Sequence, residues 1–281
     1  MVNAAIWGMS WWPLRELQSA GLHPLWATAA VYTLVTLGIL LLYPAVWRGL
    51  LAHPQTCWLA LAAGLTNVCF NWAVTVGDVV RVVLLFYLMP AWSVLIAWLL
   101  LDEKPSLASL TRLLMAMAGV LIVLKTPGAD WPIPHSVADG LALLGGFSFA
   151  MTNILLLKFN RTPSGSRMLA MFAGGALLPG LVALFGMAFG ALAAPSLQWS
   201  GAVVFVALTV AFIVGNVALQ YGAARLAAST TALVMLTEIL FAGGSAAVWG
   251  AADFSPKIFW GGSLIVLAAL WAAAAHPKNP A

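Results

Sequence analysis

Charge is the scarcest property of this chain. Asp, Glu, Lys and Arg make up 7% of its 281 residues, against roughly 25% in an ordinary soluble domain, while 63% are hydrophobic. A soluble fold of this length cannot cover itself with so few charges, which excludes a water-exposed globule. Cysteine is limited to Cys57 and Cys69. Placed on one helix, they lie about 18 Å apart, beyond disulfide reach, so both read as apolar packing residues. Histidine is equally sparse: His23, His53, His135 and His276 fall in loops or tails, too dispersed for a metal cluster. No paired-His metal motif, nucleophile elbow or phosphate-cradling glycine loop occurs. The chain therefore gives no basis for an enzyme, a metal site or a cofactor. Its twelve Lys and Arg are scattered between apolar runs. A nucleic-acid reader would gather them on one face, so nucleic acid is not an expected partner.

What remains is apolar sequence in runs of about 20 residues, the length that crosses a hydrocarbon core about 30 Å thick. Lipid offers backbone polar groups no partner, so these runs are helices or a closed barrel. They lack the alternation of barrel strands. The fold class expected is an all-α membrane protein with ten transmembrane helices, roughly 2–19, 25–47, 57–75, 80–101, 107–124, 137–158, 167–190, 200–221, 228–249 and 258–275. The opening MVNAAIWGMSWWPL lacks a basic leader and an obvious cleavage site, and reads as the first span rather than a signal peptide.

The stretch FNWAVTVGDVVRVVLLFYLMPAW, Phe70 to Trp92, organises the rest. Asn71 and Thr75 share one helix face, a polar corner follows at Gly77 and Asp78, and Pro90 interrupts the next run. NVALQYG (Asn216 to Gly222) echoes NWAVTVG (Asn71 to Gly77). WGMSW (Trp7 to Trp11) matches GGFSF (Gly145 to Phe149), pairing Gly8 with Gly146 and Ser10 with Ser148. LIVL recurs at Leu121 and Leu264. The offsets are 138, 145 and 143 residues, in one order, which points to a duplication. Lys125 to Ser136 holds three prolines and makes a stiff connection. The expected organisation is a five-helix repeat over 1–126, a proline-rich linker over 127–136 and a second repeat over 137–281. An odd number of spans per repeat inverts the second copy in the membrane. With the N-terminus inside, Arg48, Lys104, Arg112, Lys158, Arg161, Arg167, Arg225 and Lys278 face the cytoplasm, and Arg15, Arg81, Lys125 and Lys257 the outside. That bias places both termini in the cytoplasm of a cell inner (plasma) membrane.

The run LLFYLMPAWSVLIAWLLLDEKPS, Leu84 to Ser106, together with Gly119 to Ile122 and the five-plus-five layout, resembles the drug/metabolite transporter (DMT) superfamily, EamA-type. VVRVVLLFYLMPAWSVL and GNVALQYGAARLAASTTALVMLTEILFAG are similar to the YddG branch of aromatic amino acid exporters. One departure stands out: such proteins often carry Glu-Pro in the ninth helix, whereas Glu238 is followed by Ile239 here. The resemblance implies export of amino acids, aromatic or otherwise hydrophobic, by alternating access through a midplane cavity. Its small-molecule substrate and the lipid bilayer would be the partners, with the protein a monomer or weak homodimer. A multidrug or other small-metabolite exporter is the alternative reading, and a non-transporting membrane scaffold the second.

The candidate substrate-binding residues follow from these patterns. Asn71/Thr75 and Asn216/Gln220 are i, i+4 polar pairs on apolar helices. They either line a central cavity or bond neighbouring helices, a role worth about 0.6 kcal/mol each. Trp7, Trp11, Trp72, Tyr87, Trp92 and Tyr221 lie in or beside polar-faced segments, where aromatic walls suit an amphipathic solute. Ser10 and Ser148 occupy matched repeat positions. Glu238 is an acid well inside a span, either a coupling or amine-binding carboxylate or a neutral group bonded to a neighbouring helix. Asp78 and Arg81 make a local pair or gate the outer mouth. Asp102 and Glu103 favour the start of the following helix. Pro90 is the expected hinge.

Overall fold

A computed structural model describes residues 1–77, 79–124, 134–196, 199–249 and 256–275. Asp78 and most of the 127–136 linker lie outside the described residues, as do the side chains of Thr75 and Arg81. Among the described residues all regular structure is helical. In chain order the helices are α1 Val2–Met9, α2 Trp11–Ser19, α3 Pro24–Leu42, α4 Ala45–Ala52, α5 Thr56–Val76, α6 Val79–Phe86, α7 Met89–Leu101 and α8 Leu107–Leu124. They continue with α9 Val137–Lys158, α10 Ser164–Ala188, α11 Trp199–Ala223, α12 Ala228–Met235, α13 Glu238–Val248 and α14 Pro256–Ala274. Six segments are long and apolar enough to cross a membrane: Pro24–Leu42, Val82–Leu101, Val137–Lys158, Ser164–Ala188, Gly201–Ala223 and Ala228–Ser245. The chain is a multi-pass helical membrane protein.

The expected span 25–47 ends at Leu42, where Tyr43 and Pro44 separate α3 from α4, and three other expected spans are broken internally, each with its own local cause. Pro13 cannot donate to the Met9 carbonyl, and its ring crowds that carbonyl, so the first span divides at Ser10 into α1 and α2. The Ser10 hydroxyl then donates to the Trp7 carbonyl at 2.7 Å. Pro90 likewise deprives Phe86 of an acceptor bond. α6 ends at Phe86 and α7 begins at Met89, so the chain bends at Tyr87–Leu88, just before the proline itself. The third break separates α12 from α13 at Leu236–Thr237 and involves no proline. Here the Thr237 hydroxyl donates to the Val234 carbonyl at 2.7 Å, and Glu238 opens the next helix, where an acid suits the positive end of the helix dipole. The missing Glu-Pro therefore does not prevent a bend in this helix. The Thr237 hydroxyl and N–H both close on the Val234 carbonyl, in a run of tighter i→i−3 bonds that marks the bend.

Helix ends are capped where the chain leaves the apolar region. The Ser136 side chain accepts from the Asp139 N–H at 3.1 Å while the Asp139 carboxylate accepts from the Ser136 N–H, closing a capping box on α9. His23 caps α3 through Nδ1, which accepts from the Leu25 N–H at 3.2 Å. Burial holds this imidazole below the ordinary histidine value and keeps the accepting nitrogen free of a proton.

Lipid is as apolar as leucine, so helix association here depends on close approach rather than on water exclusion. α5 lies along both α9 and α10, and α14 lies along α8. A Cβ on Gly174 would run into the Ala60 carbonyl of α5, and Gly119 and Gly261 face each other across α8 and α14 in the same way. Cys57 is exposed, Cys69 is buried, and neither is bonded to another cysteine.

Candidate functional site

The breaks and the polar faces converge on one cavity. Counted with its open mouth, it takes in about 660 Å³ between the helices. Trp7 reaches it from α1, Tyr32 from α3, Thr66, Asn67 and Asn71 from α5, Thr152 from α9, Asn216 from α11 and Glu238 from the start of α13. Four residues expected from the sequence therefore line the same cavity: Trp7, Asn71, Asn216 and Glu238.

The polar groups are held by hydrogen bonds. Asn71 Nδ2 donates to the Thr28 hydroxyl of α3 at 2.9 Å, with both residues buried. Asn216 Nδ2 donates to the Phe212 carbonyl at 2.9 Å and makes a long contact of 3.5 Å to the Tyr32 hydroxyl. Tyr32 also hydrogen-bonds Asn67, whose Nδ2 donates to the Ala63 carbonyl at 2.9 Å. Thr66 and Thr152 spend their hydroxyl protons on carbonyls four residues back in their own helices. The amide donors are thus largely committed to protein. Across the cavity the Glu238 carboxyl hydrogen-bonds the Tyr87 hydroxyl, which is buried beside Phe86.

Aromatic faces supply the rest of the lining. Trp7 stacks on Phe212 at 4.6 Å, and Phe70, Phe86 and Phe149 form a tilted cluster with centroids 4.7 and 6.0 Å apart. Among the described residues the site offers one carboxyl, amide and hydroxyl groups and aromatic faces, and no Lys or Arg lines it. Such a set suits a solute with an ammonium or other cationic head and an apolar body. Among the described residues no group of three or more His, Cys, Asp or Glu comes together.

The other expected residues sit elsewhere. Gln220, buried on α11, donates to the Ser164 carbonyl at the start of α10. Trp11 donates to the Ser245 hydroxyl at 3.0 Å, tying α2 to α13. Ser10 bonds within its own turn, and Ser148 is buried with its carbonyl accepting from Thr152. Trp92 meets Phe147 edge to face. Trp72 is exposed on the outside of α5. Tyr221 is exposed too, with the Arg225 guanidinium 3.8 Å above its ring. Pro90 is buried in the first turn of α7. Tyr32, Asn67, Thr66 and Thr152 line the cavity without having been singled out. Asn67 carried a readable signal, standing four residues before Asn71 on the same face; Tyr32 is an isolated polar ring in an apolar helix and carried none.

No curated protein matches this chain. A solved structure described only as "Crystal structure of protein" superposes with a TM-score of 0.79 at 18% identity, covering 97% of this chain and 94% of that one, which shows a shared fold. Residues 1–125, less than half of the chain, are similar to the EamA-like transporter family.

Proposed function

We propose that the protein is a ten-span exporter of amino acids, aromatic or otherwise hydrophobic, that works by alternating access through the central cavity. The carrying observation is the cavity itself. One carboxyl, two asparagines contributed by the echoed segments and a set of aromatic faces meet at the centre of the bundle. In this reading Glu238 receives the substrate ammonium, Asn71 and Asn216 orient its polar head, and Trp7, Phe70, Phe86 and Phe149 hold its side chain. The match of residues 1–125 to a transporter family supports the reading.

The proposed architecture is two inverted five-helix repeats, 1–126 and 137–281, joined by the proline-rich linker. It draws support from the glycines aligned by the duplication. Gly8 lies against the Glu238 carbonyl at the start of α13, and Gly146 lies against the Phe86 carbonyl at the end of α6. Each repeat thus seats a matched glycine on the broken helix of the other. Both termini are placed in the cytoplasm of the inner membrane by the charge bias. The bends at Pro90 and Thr237 would let half-helices tilt about the site.

The lone carboxyl with no cationic side chain in the lining also favours a second reading, an exporter of lipophilic organic cations. Counterflow in liposomes separates the two. Labelled phenylalanine should exchange against aromatic amino acids and be indifferent to lipophilic cations. Exchange blocked by cations but by no amino acid selects the second reading, and no flux of any solute refutes both and favours a scaffold.

A further inference from the structure

A second cavity stands directly beyond the first, and the two share a wall. It lies between the start of α1, the last turns of α11 and the body of α12, and counted with its open mouth takes in about 620 Å³. Leu219 and Met235 line both cavities. The three elements step from one to the other in register. Along α1 the lining passes from Trp7 to Asn3, four residues or about 6 Å of helix. Along α11 it passes from Asn216 through Leu219 to Gly222 and Leu226. Along the broken helix it passes from Glu238 through Met235 to Thr231. The second space is therefore stacked on the first, towards the end of the bundle where α1 begins.

Its lining is apolar apart from Asn3 and Thr231. Asn3 is only 3% exposed, yet neither its amide nitrogen nor its amide oxygen has a hydrogen-bond partner. Thr231, 5% exposed, has a buried hydroxyl oxygen that is also unpartnered. These polar atoms are shut off from the chamber by their own packing, so they are closed spots in its wall. The Asn3 amide lies against α11 at Gly215, one turn from Leu219, so it sits at the partition itself. The partition is apolar, buried and thin, and one of its two members is a methionine, a side chain that repacks readily. Gly222 faces open space: a Cβ there would meet nothing within 4 Å.

We infer that this chamber is an antechamber on the transport path and that Leu219 and Met235, which line both spaces, are the gate between it and the central site. The inference rests on the transporter reading, but its test does not require transport. In a background with Cys57→Ser and Cys69→Ala, Ala218→Cys reports on the chamber and Ala63→Cys on the central cavity. Membrane vesicles are treated with a charged, membrane-impermeant methanethiosulfonate on the face that the chamber opens to. Ala218→Cys should react, and adding Gly222→Phe, which fills the space without removing a contact, should slow it by at least about tenfold. Shaving the gate with Leu219→Ala and Met235→Ala should speed labelling of Ala63→Cys from that face by a similar factor. Reaction of Ala218→Cys only with a lipid-soluble maleimide, or an Ala63→Cys rate indifferent to the gate, overturns the proposal. Phenylalanine counterflow run in parallel keeps the two questions apart: labelling as described without any flux retains the chamber and gate and rejects the exporter.

Discussion

The bond between Asn71 and Thr28 allows the two roles of a buried polar group, structural tie and substrate contact, to be separated. The Asn71 amide donates across α5 and α3 at 2.9 Å, and the two residues are 4% and 2% exposed. Such interhelical bonds average about 0.6 kcal/mol in a membrane. Thr28→Val removes the hydroxyl and keeps the shape. Asn71→Ala removes the other partner together with the group that faces the cavity. Each single change should therefore lower the thermal midpoint by about 1–2 °C, the shift expected for about 0.6 kcal/mol in a chain of this size. Transport should separate them. A hydrogen bond to a charged head is worth about 1.5–3 kcal/mol, so Asn71→Ala should raise the half-saturation concentration for phenylalanine roughly 10–150-fold. Thr28→Val should cost less than about threefold, the equivalent of its 0.6 kcal/mol. The double variant should match Asn71→Ala in transport, because the tie contributes little to it. Liposome counterflow and differential scanning fluorimetry on the same preparations supply both numbers. If Thr28→Val and Asn71→Ala impair transport equally and in step with the loss of stability, Asn71 is a tie and the assignment fails.

Four further outcomes follow from the geometry. Ser136→Ala opens the capping box of α9 and should destabilise the protein by about 1 kcal/mol, with Ser136→Thr retaining most of it, measured by thermal unfolding. Burial lowers the pKa of His23 from its ordinary 6.5, so the unfolded chain takes up the proton first and this residue's contribution to stability falls as pH drops below 6.5 through the lower folded value. His23→Asn, which caps without titrating, should be less sensitive to that acid range in a pH series of unfolding midpoints. Gly174→Ala forces a methyl onto the Ala60 carbonyl and should cost about 1–3 kcal/mol, whereas Gly38→Ala, facing open space, should be neutral in the same assay. Glu238→Gln keeps an acceptor for Tyr87 but cannot titrate, so it should abolish any pH dependence of counterflow between two pH values; an unchanged dependence removes Glu238 from coupling.

What the sequence disclosed depended on contrast against an apolar background. Long apolar runs announce helices, and Pro90 announces a break because a missing N–H is a covalent fact. Asn71, Asn216 and Glu238 stand out for the same reason: a polar group in lipid needs a destination. The bend at Thr237 was not visible, because a threonine hydroxyl competes with the backbone only in some settings and lies quietly in most. The aromatic lining was equally hidden. Phe70, Phe86 and Phe149 differ from Phe185 or Phe259, which face outward, only in what packs around them. Tyr221 shows the converse error: it follows the polar Gln220, but helix rotation turns it outward, with the Arg225 guanidinium over its ring.

The two bends on either side of the cavity are not mechanically equal. At Tyr87–Leu88 the backbone is cut by a ring that no fluctuation removes, whereas at Leu236–Thr237 it is latched by the hydroxyl and N–H of Thr237 on the Val234 carbonyl. Hydrogen bonds worth about 1 kcal/mol each open and reclose at thermal energies; a covalent ring does not. The proposed rocking would therefore find at Thr237 a joint that can straighten and re-bend, and at Pro90 one that tilts about a permanent kink.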